Sequence, residues 1–200
     1  QEMAESCLIL ESLLQSKLDP NFRPKGRIQL SSLTMIVNPS QSDFDKCLKT
    51  LVKPAKTFTG NKDDNNPQYR KYAESLNPDE YYYEVTENYY NWYVDTPKIV
   101  PRCLRDFIMW INSNNEIVVF AIIAKSPSRP NMVSLDGFFI NPKYRGQGIG
   151  DQLIPYLIQQ YNISELDVEK DNEVARHLYE KHGFKIYNNP SDSFYQHRNP

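Results

Sequence analysis

The stretch that decides the fold is Arg145-Gly146-Gln147-Gly148-Ile149-Gly150, in which every second residue is glycine. It lies between an apolar run typical of a strand, Val133 to Ile140, and one typical of a helix, Gln152 to Ile158. A glycine-rich turn that opens a helix lets the backbone approach a phosphate closely and directs free N–H groups at it, and the positive end of the helix dipole strengthens the attraction. The stretch therefore predicts a phosphate-binding turn, and an ordinary tight turn is the alternative.

The spacing of the glycines separates this turn from two common nucleotide-binding motifs. It is neither the Gly-x-Gly-x-x-Gly of dinucleotide folds nor a P-loop, which ends in Gly-Lys-Ser/Thr. A second block begins at Asn172 with the pattern Asn-x-x-Ala-x-x-Leu-Tyr-x-x-x-Gly-Phe, after a short strand-like run. With Asn141 to Tyr144 ahead of the turn, the two blocks resemble, in order and spacing, the pyrophosphate loop and the next strand and helix of the GCN5-related N-acetyltransferases, the GNAT family.

The resemblance implies a fold of the α+β class, with one domain whose mixed, mostly antiparallel sheet is flanked by helices. We expect the acetyltransferase domain at residues 28–200, behind an N-terminal helical extension at 1–27. Patterning predicts helices at 4–18 and 43–51, a mobile surface loop at 61–66, and strands at 28–37, 107–111, 117–124, 133–140, 184–186 and 193–196. The acidic aromatic stretch at 79–93 is assigned to neither helix nor strand.

By the same resemblance, acetyl-CoA is the acyl donor. The N–H groups of the glycine turn would hold its pyrophosphate, and the residues concerned are Arg145, Gly146, Gln147, Gly148, Ile149 and Gly150. The backbone of Phe138, Phe139 and Ile140 would pair with the amides of the pantetheine arm like an added strand, while their side chains join the core. Asn172 would cap the second helix and contact the same arm.

Tyr179 is the first candidate for a catalytic side chain. It lies seven residues after Asn172, which is about 10 Å along a helix and on nearly the same face. By resemblance its hydroxyl faces the sulfur of the thioester, and a phenol keeps its proton at neutral pH, so it can protonate a leaving thiolate. A half-buried core tyrosine is the alternative.

A base or a water relay is also expected, because an amine with a pKa of about 10.4 is neutral in only about one molecule in 2,500 at pH 7. Asp136 is the first candidate, since strand alternation places it on the same face as Phe138 and Ile140. It would serve either as the base or as a group that binds the acceptor. The rivals are Glu84, Glu87 and Glu116.

The stretch at 79–93 has two open interpretations. Its carboxylates and tyrosines would suit the wall of a pocket for a cationic amine, through charge and cation–π attraction. Alternatively, its tyrosines cover the sheet and its acids lie in solvent. The identity of the acceptor does not follow from the sequence.

Composition excludes several classes of protein. The chain has 200 residues and a formal net charge of −2, so no basic excess favours nucleic acid, and no apolar run approaches the ~20 residues that cross a bilayer. The cysteines, Cys7, Cys47 and Cys103, are odd in number and lack metal-ligand spacing, so we expect no metal and a cytoplasmic protein. Monomer and homodimer both stay open.

Two functions therefore compete. The first is an N-acetyltransferase that moves an acetyl group from acetyl-CoA to a primary amine by direct attack in a ternary complex. The second is a catalytically inactive protein of the same fold that binds acyl-CoA as a sensor or interaction module. The intact glycines, Asn172 and Tyr179 favour the enzyme.

Overall fold

The computed structural model describes residues 26–63, 65–99, 104–126, 128–188 and 194–198. The predicted helix at 4–18 and nearly all of the extension at 1–27 lie outside the described residues, as do Cys7 and Cys103. The strands are β1 (Thr34–Val37), β2 (Leu104–Ile111), β3 (Ile117–Ser126), β4 (Arg129–Ile140), β5 (Glu165–Glu169), β6 (Lys185–Asn188) and β7 (Phe194–Arg198). The α-helices are α1 (Gln41–Leu48), α2 (Pro67–Glu74), α3 (Pro78–Ile99), α4 (Ile149–Tyr161) and α5 (Glu173–Lys181), and short 3-10 turns occupy Leu30–Ser32 and Pro142–Tyr144.

The seven strands form one sheet in the order β1-β2-β3-β4-β5-β7-β6. Among the described strands, β4 and β5 pair in parallel, and the other neighbouring pairs are antiparallel. The parallel pair is joined by a crossover through α4, as a parallel connection requires. The predicted class, a mixed and mostly antiparallel sheet flanked by helices, is confirmed.

Each face of the sheet is covered by its own helices. On one face, Leu153 and Leu157 of α4 pack with Ile108 and Trp110 of β2. On the other face, aromatic residues of α1 and α3 pack against Phe107 of β2. Neighbouring residues of β2 point to opposite faces of the sheet. The sheet therefore separates two cores, and its strands contribute side chains to both.

The first predicted strand is wrong in its first half. Residues 28–37 were expected to be extended throughout, but Leu30–Ser32 is a 3-10 turn and the strand begins at Thr34. The cause is a set of long-range hydrogen bonds. The Ile28 N–H donates to the Gln147 carbonyl at 2.9 Å, and the Leu30 N–H donates to the Gln152 side chain at 2.9 Å. This segment is therefore tied to the glycine turn rather than to β2.

The polar region after α1 contains a helix that patterning missed. Asn66 caps α2 by accepting hydrogen bonds from the N–H groups of Gln68 and Tyr69, and Pro67 occupies the first turn. Proline is common in loops, and it is also favoured in the first turn of a helix. Here Pro67 follows the predicted loop at 61–66 and begins the helix α2.

The acidic aromatic stretch at 79–93 is the body of the long helix α3. Asn77 and Glu80 start it with reciprocal hydrogen bonds, since each side chain accepts from the other's backbone N–H. This is a capping box, with Pro78 as the first helical residue. Within the described part of the chain, no helix is both long enough and apolar enough to cross a membrane.

Candidate active site

The glycine turn has the backbone that its sequence predicts. Gly146 and Gly148 have φ angles of 75° and 79°, a left-handed conformation that glycine adopts without strain. Gly148 is the N-cap of α4 and supplies no capping side chain, so the first N–H groups of the helix stay open to an anion. A Cβ on Gly150 would lie 2.8 Å from Cδ2 of Leu178, so glycine here also lets α5 pack closely.

Two charged side chains of the turn and of the following helix have their partners outside the turn, whereas the Arg27 side chain lies against Gly148. Arg145 folds back, and its Nε donates to the Ile140 carbonyl at 3.0 Å. Asp151, in the first turn of α4, pairs with Lys181 at 3.0 Å and with His182 at 2.9 Å. Burial by itself would raise the pKa of the Asp151 carboxyl, but the hydrogen bonds and charges of these two partners hold it below its usual range. Its negative charge is thereby balanced by α5.

The sheet opens between β4 and β5. These strands pair only at Ser134 with Glu165 and at Leu135 with Leu166. At the same place the register between β3 and β4 shifts, because Ile123 lies opposite Leu135 and Ile122 lies opposite Gly137. Asp136 is therefore the extra residue of a β-bulge, and a bulge bends its strand away from its neighbour. We call the resulting opening beside residues 136–140 the β4–β5 gap.

The bulge overturns the predicted orientation of Asp136. Alternation placed it on the face of Phe138 and Ile140, which pack in the core under α4 and α5. Instead, Asp136 Oδ1 accepts a hydrogen bond from Ser134 Oγ at 2.6 Å, and Oδ2 lies 3.6 Å from Arg105 Nε. That arginine stacks on Trp92 of α3. An inserted residue reverses alternation, so Asp136 faces the other side of the sheet.

A cleft of about 540 Å³ lies on this side, and we call it the α3 cleft. Its lining comes from α3, from the loop before α2, and from β2, β4 and β5. The residues are Lys62, Asp63, Asn88, Tyr89, Trp92, Arg105, Ser134, Leu135, Asp136 and Asp167. Because Leu135 and Asp136 stand where β4 leaves β5, the cleft meets the β4–β5 gap.

The family follows from a comparison over most of the chain. A family model described as the Acetyltransferase (GNAT) family matches residues 63–184. The chain belongs to the GNAT family. No curated protein matches the chain closely enough to count as a relative.

Solved structures agree with the fold. A protein described as a GNAT-family acetyltransferase from Bordetella pertussis has 12% identity and a TM-score of 0.54, with 88% of this chain and 100% of that one covered. One described as a GNAT-family acetyltransferase from Desulfovibrio desulfuricans has 9% identity and a TM-score of 0.53, with 84% and 99% covered. An acetyltransferase from Thermus thermophilus has 15% identity and a TM-score of 0.52, with 83% and 96% covered. At these identities the likeness shows the fold alone.

In this GNAT fold, Tyr179 is buried on α5. It is 7% exposed, its ring meets Phe184 edge to face, and the described residues accept no hydrogen bond from its hydroxyl. Burial, and to a smaller extent the nearby Tyr89, raises the pKa of Tyr179 well above its usual value. The phenol therefore keeps its proton at neutral pH. Since Tyr89 lines the α3 cleft, Tyr179 lies within electrostatic range of one residue of the cleft.

Tyr89 is the site residue that sequence reasoning did not single out. A Cβ on Gly137 would lie 3.0 Å from Cε1 of its ring, so the ring rests on the one β4 residue without a side chain. It also contacts Trp92 and Phe139. Gly137, directly after Asp136 in a strand, was the available signal, because an isolated strand glycine often marks a bulge or a close approach.

The caps of α5 agree with their prediction. The Asn172 side-chain oxygen accepts a hydrogen bond from the Ala175 N–H at 3.2 Å. Gly183 follows the helix with a φ of 95°. The cap engages only the oxygen of the Asn172 amide, so its Nδ2 can still donate to a ligand.

None of the rival acids lines the α3 cleft. Glu84 is fully buried, and Lys62 Nζ approaches its Oε1 at 2.8 Å outside hydrogen-bond geometry. Glu87 is partly buried and does not line the cleft. Glu116 pairs with Lys143 at 2.9 Å beside the second 3-10 turn, and this partner's hydrogen bond lowers the pKa of Glu116.

Residues of the stretch at 79–93 both line the α3 cleft and cover the sheet. Asn88, Tyr89 and Trp92 line the α3 cleft, whereas Tyr82 and Tyr90 are buried cover for the sheet. The carboxylates of the cleft come from elsewhere, namely Asp63, Asp136 and Asp167.

Proposed function

We propose that this GNAT protein transfers the acetyl group of acetyl-CoA to a primary amine by direct attack in a ternary complex. One observation supports this most directly. The β4–β5 gap has the glycine turn at one end and the α3 cleft at the other, with buried Tyr179 nearby. A long cofactor and a separate acceptor would therefore meet at one point.

The glycine turn suits a pyrophosphate. Residues 145–150 would present the N–H groups of Gly146, Gln147, Gly148 and Ile149 to it, with the positive end of the α4 dipole behind them. The edge of β4 at Phe138, Phe139 and Ile140, which β5 does not pair with, would accept the pantetheine amides as a sheet accepts a strand. Asn172 Nδ2 would donate to the same arm. No described residue projects a carboxylate from the turn itself, because Asp151 is paired with α5.

Two proton movements complete the proposed reaction. The amine nitrogen bonds to the acetyl carbon, the carbon–sulfur bond breaks, and Tyr179 gives its proton to the leaving sulfur. The amine must lose a proton before or during attack. Asp136, at the mouth of the β4–β5 gap, would accept it directly or through water, or would orient the ammonium.

The test is an incubation of the protein with acetyl-CoA and a panel of amines. A colorimetric assay measures the released thiol, and mass spectrometry identifies the acetylated products. The Gly148→Glu variant serves as the control, which should bind acetyl-CoA at least about tenfold more weakly and is therefore assayed at an acetyl-CoA concentration below saturation. Turnover by the natural chain alone supports the enzyme. Binding of acetyl-CoA without turnover on any amine would favour the alternative, an acyl-CoA sensor or interaction module.

We also propose that the protein works in the cytoplasm, as a monomer or homodimer, without binding nucleic acid or membranes. The odd number of cysteines supports a reducing compartment. Microscopy of a tagged full-length chain tests the compartment, and light scattering tests the assembly.

A further inference from the structure

Arg105 is held rigidly in the α3 cleft. Its guanidinium carbon lies 3.5 Å from the centre of the Trp92 ring, and Nη1 donates to Thr96 Oγ1 at 2.7 Å. Its buried Nε has no hydrogen-bond acceptor among the described residues. The nearest carboxylate oxygen, Asp136 Oδ2, is 3.6 Å away. The side chain is 16% exposed, and it lines the cleft.

This contact is an ion pair without the usual hydrogen bonds. A guanidinium and a carboxylate normally approach to about 2.7–2.9 Å and often share two parallel bonds. Arg105 has five N–H donors in one plane, and within the described residues one of them has an acceptor. Because stacking and Thr96 already order the side chain, a ligand would lose little further entropy by binding there.

Arg105 is also the more available of the two cations in the cleft. Lys62 Nζ lies 2.8 Å from buried Glu84 Oε1 and donates to Asn88 Oδ1 at 3.0 Å. A carboxylate that displaced it would leave Glu84 buried without its counter-ion, which is strongly unfavourable.

The paired charges of Arg105 and Asp136 select against simple ions at this part of the cleft. A lone anion at Arg105 would meet the carboxylate of Asp136, and a lone cation at Asp136 would compete with Arg105. A molecule that carries both charges satisfies both residues, with its ammonium on Asp136 and its carboxylate on Arg105. Since Asp136 is the bulge residue at the β4–β5 gap, the nitrogen of such a molecule would lie where the acetyl group arrives.

We propose that the acceptor is an amino carboxylate, an amine whose carboxylate is a few bonds from the nitrogen, and that Arg105 determines this specificity. The inference rests on the proposed acetyl transfer and names the class of its acceptor. Free amino acids are the simplest members of the class.

The test compares matched acceptors. A panel of amino acids is assayed beside the corresponding amides and decarboxylated amines, with acetyl-CoA as donor. The kcat/KM for the best amino acid should exceed that of both partners by about 100-fold, since a buried site that pairs with a polar group discriminates strongly against analogues without it. The amide is a stringent comparison, because its amine is less basic and thus more often neutral.

Substitutions assign the preference to the residue. Arg105→Gln and Arg105→Lys should lower kcat/KM for the amino acid by about 100-fold, mostly through KM. For the decarboxylated amine, kcat/KM should not fall and should rise if its ammonium competes with Arg105 for Asp136. The control, Lys98→Gln, removes one exposed positive charge near the end of α3 and should retain the preference.

Several outcomes would overturn the inference. Equal use of amino acids and decarboxylated amines would refute the acceptor class while leaving acetyl transfer intact. A preference that survives both substitutions would refute the role of Arg105, and equal losses on all acceptors with a lower Tm would make it a structural residue. Failure to acetylate any amine, together with failure to bind acetyl-CoA, would refute the proposed function as well.

Discussion

Replacing Tyr179 with phenylalanine separates catalysis from stability. The change removes one hydroxyl and keeps the ring that meets Phe184. A general acid is worth about 10²-fold or more in rate, which is about 2.7 kcal/mol of transition-state stabilisation. Because the described residues accept no hydrogen bond from this hydroxyl, its loss should leave the free energy of unfolding unchanged or raise it by up to about 1 kcal/mol.

Tyr90 supplies the matched control. It is as well buried, but its hydroxyl donates to the Pro39 carbonyl at 2.9 Å. Tyr90→Phe should therefore destabilise the fold by about 1 kcal/mol, a fall in Tm of about 2–4 °C for a domain of this size. It should leave kcat unchanged, since Tyr90 lies outside the α3 cleft. Thermal unfolding by circular dichroism, thiol release and calorimetry with acetyl-CoA measure the three quantities.

The two variants should therefore have opposite effects. Tyr179→Phe should lower kcat and leave Tm unchanged, whereas Tyr90→Phe should lower Tm and leave kcat unchanged. Turnover of Tyr179→Phe close to that of the natural chain would refute the assignment of the proton donor. A clear fall in its Tm would show that the hydroxyl has a stabilising hydrogen bond beyond those made by the described residues. Burial raises the pKa of Tyr179, so kcat should also not decline between pH 7 and the ordinary tyrosine range near ~10.

Three further predictions concern the turn, the bulge and a peripheral ion pair. Gly148→Glu and Gly148→Gln share the strain of a left-handed backbone, so they differ mainly in charge. By calorimetry, Gly148→Glu should bind acetyl-CoA at least about tenfold more weakly than Gly148→Gln, a difference of about 1.4 kcal/mol. Equal affinities of the two variants would mean that the pyrophosphate does not bind at this turn. If Asp136 is the base, Asp136→Asn should lower kcat at neutral pH, with partial recovery at higher pH. If Asp136 binds the acceptor, the substitution should raise KM alone. No change in either constant would exclude both roles. The hydrogen bond from Lys143 lowers the pKa of Glu116, so this carboxylate stabilises the fold above its unfolded pKa of about 4.3 and loses that contribution as the pH falls through its folded pKa. Glu116→Gln should therefore lower Tm more at pH 7 than under acidic conditions, and equal shifts at every pH would count against the pair.

Predictions that depend on neighbouring residues agree with the structure. The left-handed glycines of the turn, the Asn172 cap and the Gly183 terminus of α5 all follow from backbone geometry within a few residues. The residues before Thr34 were misassigned, because Ile28 and Leu30 take their hydrogen-bond partners from the distant turn and α4.

The sequence alone indicates the class of the fold, the left-handed backbone of the glycine turn and the family, since the spacing of glycine, asparagine and tyrosine carries these locally. The tertiary structure alone decided which side of the sheet Asp136 faces. That depends on one residue inserted opposite β3, and a bulge leaves no periodic signal that distinguishes it from regular alternation. It also decided that Arg105 and Tyr89, far apart in the chain, line the same cleft as Asp136. Their proximity arises from sheet pairing and from the packing of α3, which are long-range interactions that no local pattern encodes.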